Sequence, residues 1–200
     1  MKPTNKPMKR LSLYLFLILF TFQTPSQADD IRDFQIEGMS IGDSLLKMYS
    51  DAQIKGWSKT DYESKKFSRF NMKDITLETY DDIQFHYLTA DKNYTIKSIV
   101  AGLYFEDLSE CFKKQFDVFG DIKKILSDTK TDFNQKIHRA DKKEQSKIYR
   151  MSFNLNSGAM IEVTCIDWSD EIFDTKGWRD HLRVGVSDEK FLQWIKEEAY

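Results

Sequence analysis

Beyond residue 25 the chain contains no proline; Pro3, Pro7 and Pro25 all lie ahead of that point. It has only two cysteines, never as Cys-x-x-Cys, and three histidines, no two of which have the spacing of metal ligands, so the pattern of a zinc site is missing. No apolar run exceeds the twelve residues of Leu11–Phe22, too few to span a bilayer as a stable helix. Excess positive charge is also missing: 30 basic residues face 32 acidic ones. A nucleic-acid or anionic-membrane partner would call for a basic surface, so both are argued against. There is no low-complexity tract and no clear repeat.

What is present at the start reads as an export signal. Lys2, Lys6, Lys9 and Arg10 form a cationic head without an acidic residue, the apolar run follows, and Pro25 breaks it. Ser26-Gln27-Ala28 supplies the small-x-small pattern of a signal-peptidase site, which predicts cleavage after Ala28 and a domain over 29–200. Removal takes away four basic residues and no acidic one, so the net charge moves from −2 to −6. The signal holds no cysteine for lipid attachment. The expected location is therefore the periplasm or the outside of the cell, without a transmembrane anchor in the mature form. A chain of this length is expected to form one domain.

Periodicity predicts the elements. Phe34–Ile36 and Lys66–Met72 read as strands, and Ile83–Leu88 with Tyr94–Phe105 as a hairpin around Asp91-Lys92-Asn93. The run from Ile99 to Phe105 is apolar on both faces, as a central strand would be. Over Asp107–Ser127, Leu108, Cys111, Phe112, Phe116, Phe119, Ile122, Ile125 and Leu126 recur at helical spacing and form one apolar stripe. Residues 127–147 are polar and charged and read as an exposed loop. Lys147–Leu155 and Ala159–Trp168 form a second hairpin about Asn156-Ser157-Gly158. His181–Val186 is a further strand, and Ser187 is expected to cap a last helix that buries Phe191, Leu192, Ile195 and Ala199. This order predicts an α+β fold, a mainly antiparallel sheet with helices packed on one face.

An even cysteine count in an oxidising compartment favours one disulfide, Cys111 to Cys165. Cys111 lies on the apolar stripe of the long helix. Alternation points Cys165 inward with Ile161 and Val163, opposite Tyr149, Met151, Phe153 and Leu155. Two separate buried thiols are the alternative.

Gly42-Asp43-Ser44-Leu45 spells the opening block of the GDSL-type serine hydrolases, which makes Ser44 a candidate nucleophile. Such an enzyme needs a base, a carboxylate to orient it and oxyanion donors. The family's Gly-x-Asn-Asp and Asp-x-x-His-Pro blocks are missing, the latter because no proline follows residue 25. Asp180 directly precedes His181, and strand neighbours point to opposite faces. Ser40-x-x-Asp43 reads instead as a capping box for a helix that buries Ile41, Leu45, Met48 and Tyr49.

The acidic group Asp167, Asp170, Glu171 and Asp174 lacks the order of a calcium loop and reads as a solvated loop. Alternation places Arg150, Ser152, Asn154, Glu162, Thr164, His181 and Arg183 on one outward sheet face, flanked by Trp168 and Trp178. Arg150, His181, Arg183 and Trp168 are the candidate binding residues. Charge-assisted hydrogen bonds and ring stacking suit an anionic or sugar-like ligand. A solvated face with a Glu162–arginine pair is the simpler alternative. No metal and no cofactor is implied.

Ile36–Leu46 ("IEGMSIGDSLL"), Tyr80–Tyr87 ("YDDIQFHY"), Cys165–Asp170 ("CIDWSD") and Trp178–Val184 ("WRDHLRV") resemble segments shared by a set of small exported bacterial proteins with no assigned activity. The Gly-Met-Ser opening is also similar to the first helix of small outer-membrane-assembly lipoproteins, whose attachment cysteine this chain lacks. The resemblance implies export and a single domain. The functional expectation is a non-catalytic exported protein that binds a ligand or an envelope partner. A Ser44 esterase and a structural component of the envelope are the alternatives.

Overall fold

The computed structural model describes residues 31–73 and 75–199. The signal reading of residues 1–28, with cleavage after Ala28, lies outside them. Eight strands form one sheet: β1 Ser58–Asp61, β2 Phe67–Asn71, β3 Asp82–Leu88, β4 Ser98–Tyr104, β5 Lys130–Ile137, β6 Lys147–Asn154, β7 Met160–Asp167 and β8 His181–Ser187. Four helices accompany them: α1 Asp51–Gly56, α2 Leu108–Ile125, α3 Asp170–Lys176 and α4 Glu189–Glu197. The spatial order is β1-β2-β3-β4-β8-β7-β6-β5 and each neighbouring pair is antiparallel. The chain is one α+β domain.

The topology follows from two meanders. The first walks inward from β1 to β4, α2 carries the chain to the far edge, and β5 to β8 walk back until β8 pairs with β4. That places β4 at the centre, where Ile99, Val100 and Ala101 are all buried, as its apolar sequence predicts. On one sheet face Phe70, Phe85, Ile99, Val184, Val163 and Phe153 form the main core with Leu45, Ile54 and Trp57. α2 closes this core over β7 and β6. Cys111 and Cys165 are joined as a disulfide with Cα atoms 6.1 Å apart, and Phe119 stacks on Phe153 at 4.5 Å.

Two residues of the expected α2 stripe face outward: Phe116 is 61% and Ile125 62% exposed. Gln115 is buried instead. Its Nε2 donates to the carbonyls of Tyr149 at 2.6 Å and Val163 at 2.8 Å, so a polar residue takes a place on the buried side by bonding to the strands beneath. α4 lies on the opposite sheet face. Phe191 and Trp194, with the half-buried Ile195, pack on Phe67, Phe191 sits 4.6 Å from His86, and Trp194 Nε1 donates to Ser64 Oγ at 3.0 Å. Asp188, not Ser187, caps this helix by accepting from Phe191 N at 2.8 Å. Ser187 ends β8, its hydroxyl 2.8 Å from that of Ser98.

The opening motif does not start a helix. Asp43 accepts from Ser40 N at 3.0 Å, but Gly42 has φ +91°, and a left-handed residue ends a turn instead of propagating it. The chain then pairs with residues 94–96: Gly42 N donates to Ile96 O, and Ile96 N to Asp43 O, each at 2.9 Å. This diverts residues 94–96 from the ladder, so β4 is Ser98–Tyr104 and does not begin at Tyr94. The helix comes later, where Ser50 and Gln53 form the capping box of α1. Phe34–Ile36 contributes only an isolated bridge from Ile36 to Met39.

Two further elements occupy segments expected to be loops. β5 pairs with β6 over eight residues, from Lys130↔Asn154 to Ile137↔Lys147. In α3 the acidic cluster places Asp170 and Glu171 in the first turn, where the helix dipole favours negative charge. Gly177 at φ +67° closes it.

Candidate functional site

Arg183 stands in a row that runs across the sheet on the face away from α2. Its registered neighbours are Gly102 and then Asp82 on one side, and Thr164, Arg150 and Asn134 on the other. The next rows carry Tyr104, His181 and Ile166 toward one strand end, and Gly185, Glu162 and Ser152 toward the other. Asn154 lies one row further along, beside Met160. The residues expected to share an outward face do share it, with Arg150 and Arg183 in one row and His181 in the next.

Glycines keep the middle of this face flat. A Cβ at Gly185 would lie 3.1 Å from Glu162 Cγ, so the glutamate side chain rests across β8. A Cβ at Gly102 would collide with the carboxylate of Asp82. Asp82 in turn accepts from the Tyr104 hydroxyl at 2.9 Å. Burial, aided by the charge of Asp82, pushes the Tyr104 phenol up to about 12. Glu162 makes a loose pair with Arg150, Oε2 to Nη1 at 3.8 Å. Arg183 makes no hydrogen bond or ion pair with any described residue.

An aromatic group borders the row. Trp168 follows β7; its backbone N donates to Asp180 Oδ1 at 2.7 Å. Its ring lies 4.2 Å from His138 and 4.7 Å from Trp178, and Lys176 covers Trp178 at 4.5 Å. Asp180 thus holds the Trp168 backbone, while His181 Nδ1 bonds to Arg179 O at 2.7 Å. Burial and the Arg183 charge push His138 down to about 4. Burial likewise lowers His181. Both imidazoles are neutral at pH 7, so the positive charge on the face belongs to its arginines.

Four polar atoms here are enclosed without a partner: Arg150 Nε, Thr164 Oγ1, Asn134 Oδ1 and Trp168 Nε1. Thr164 is 5% exposed. Arg183, half-buried and without a described ion-pair partner, is the group of this row open to a molecule lying on the sheet. Sequence reasoning missed Asn134 and His138, because both belong to β5 or its end and that segment read as a loop. It also missed Asp82 and Tyr104, whose shared face emerges only once β3, β4 and β8 are paired. The surface is open. Two clefts, of about 290 Å³ beside Lys55, Lys59, Tyr87 and Tyr94 and about 210 Å³ between α4 and β2, include none of Arg150, Trp168, His181 or Arg183.

Ser44 lies elsewhere. Its hydroxyl donates to Asn93 O at 2.6 Å and accepts from Leu46 N at 3.3 Å, capping a 3₁₀ turn, Leu45–Lys47. The oxygen therefore fastens the turn to the β3–β4 connection. Ser44→Ala is expected to cost about 1 kcal/mol, the usual value of a lost cap, read as a small shift in a urea melt. A fluorophosphonate probe that labelled Ser44 would contradict this assignment.

Among the described residues, no three His, Cys, Asp or Glu side chains gather as metal ligands. Of the acidic group, Glu171 pairs with Lys143 at 2.6 Å. No described helix is long and apolar enough to cross a membrane. No family model matches the chain, and no curated protein or solved structure shows significant similarity to it.

Proposed function

We propose that the protein is exported and works without catalysis, using the outward face of β6, β7 and β8 to hold an anionic or sugar-like ligand, free or carried by an envelope partner. The observation that carries this reading is Arg183, half-buried between Gly102 and Thr164 on that face without a counter-ion among the described residues. Bound oxygens would accept charge-assisted hydrogen bonds from its guanidinium. The disulfide supports the compartment, since such bonds persist in oxidising surroundings. The signal features of residues 2–28 point the same way.

The test is amide chemical-shift mapping during titration with a trigalacturonate, with a neutral trisaccharide and inorganic phosphate in parallel. Shifts are expected around Arg150, Thr164 and Arg183. Arg183→Ala should weaken binding about 10- to 100-fold, the loss of a charged hydrogen bond. It should leave the fold intact, because that side chain bonds to no described residue. An affinity unchanged in Arg183→Ala, or shifts confined to other surfaces, would remove this assignment.

A further inference from the structure

The sheet has two edges, and they are built differently. β1 is four residues long, wholly exposed, and carries the Lys59–Asp61 ion pair, which is a common way to blunt an edge. β5 pairs with β6 without interruption for eight residues, and its other backbone edge pairs with no described strand. No proline guards it, since none occurs after residue 25. Phe133 and Ile137 stand out at 57% and 44% exposed. A long, regular edge with exposed apolar side chains is a template for another strand.

We infer that β5 pairs with β5 of a second copy of this chain, antiparallel about a two-fold axis through Asn134, to give a continuous sixteen-strand sheet. A two-fold axis normal to the sheet keeps the faces matched, so opposed positions must have the same parity. Charge then chooses among the central registers. With Asn134 on the axis, Asp132 faces Lys136 of the second copy, twice by symmetry. With Phe133 on the axis, Lys130 would face Lys136, also twice, and like charges opposed across strands repel. With Gln135 on the axis, neither pairing occurs. The Asn134 register also sets Phe133 diagonal to Phe133 and Ile137 of the partner copy, covering apolar surface now open beside Phe119.

On the axis the two Asn134 side chains lie at the separation of a directly opposed pair, and each Nδ2 keeps its bond to Asp132 at 2.7 Å. The row Arg183, Thr164, Arg150, Asn134 then runs on into its symmetry copy as one line across both subunits.

Sedimentation velocity of the protein purified after export, from micromolar to millimolar concentration, decides the matter. A dimer that dissociates on dilution is expected. Asp132→Lys and Lys136→Asp each turn two attractive pairs repulsive and should weaken it about tenfold or more. Both side chains are exposed, and a cooperative melt for each variant checks that the monomer is intact. An equimolar mixture of the two variants restores both Asp–Lys contacts and should recover wild-type affinity. A wild-type protein that stays monomeric throughout, a dimer indifferent to Asp132→Lys, or a mixture that fails to recover would each overturn the pairing. Ligand binding at Arg183 is scored separately and can survive that failure.

Discussion

A protein with Cys111 and Cys165 both replaced by alanine unfolds at a temperature about 8–16 °C lower than the parent. The bond closes a 54-residue separation, and the chain-entropy treatment gives about 4 kcal/mol for a loop of that size. In a domain of this size each kcal/mol moves the midpoint by about 2–4 °C. The position of the link matters as much as its length. α2 carries the chain from the first meander to the second, and the bond ties its first turn to β7, next to the centre of the sheet. Without it α2 keeps its Asp107 cap and the Gln115 bonds to β6 and β7, so a folded but weaker protein is expected. Both sulfurs are fully buried, so reductant should act on the parent only as it opens. Calorimetry of the double variant beside the parent, with and without reductant, is the measurement. A midpoint shift below about 2 °C, no more than about 1 kcal/mol in this range, would show that the link does not hold the fold.

Much of this architecture can be read from the chain because its strongest signals are made by burial. The all-apolar run of β4, the alternation in β6 and β7, and the stripe of α2 exist because those residues face a core. That alternation alone puts Arg150, Thr164 and Arg183 on one outward face and points Cys165 toward Cys111. β5 escapes the same reasoning for a physical reason: it is an edge strand with only two apolar residues, both exposed, so its sequence resembles a charged loop. Missing it also hides Asn134 and His138, which complete one side of the candidate face. The Ser40–Asp43 hydrogen bond forms as read. The helix it was expected to start does not, because Gly42 adopts a left-handed conformation and the backbone beyond finds partners at residues 94–96. Those partners lie about fifty positions away, and no local pattern announces them. Gln115 and α4 teach a related point. A buried glutamine is stable only because two strand carbonyls meet it, and the face that α4 covers is set by Phe67, not by the periodicity of α4.

Acid should weaken the protein before most of its carboxylates titrate, and His86 is the main reason. This ring lies on β3 under α4, 5% exposed. It is 4.6 Å from Phe191, with Arg69 opposite on β2, and Nδ1 has no partner. Burial above all, then the charges of Arg69 and Arg183, push it down to about 3 from an ordinary value of 6.5. Above pH 6.5 the ring is neutral folded or unfolded, and the shift contributes nothing. Below 6.5 the unfolded chain binds a proton that the folded one refuses, so stability falls with pH until the folded value is reached. At pH 4.5, two units into that window, the loss from His86 alone is about 2–3 kcal/mol. His138 and His181 are lowered as well and add in the same direction, less strongly where solvent screens them. The carboxyl of Asp141, which accepts from Ser146 and Ser169, is held well below its usual range, so its stabilising effect fades only below about pH 4. Between 6.5 and about 5 the histidines therefore dominate. Urea melts at half-unit steps across that interval should show stability dropping as acid is added. His86→Gln, which cannot take up the proton, should flatten the slope by about one proton's worth. A parent whose stability is level from pH 6.5 to 4.5 would mean that His86 is charged in the fold and that α4 does not seal it from water.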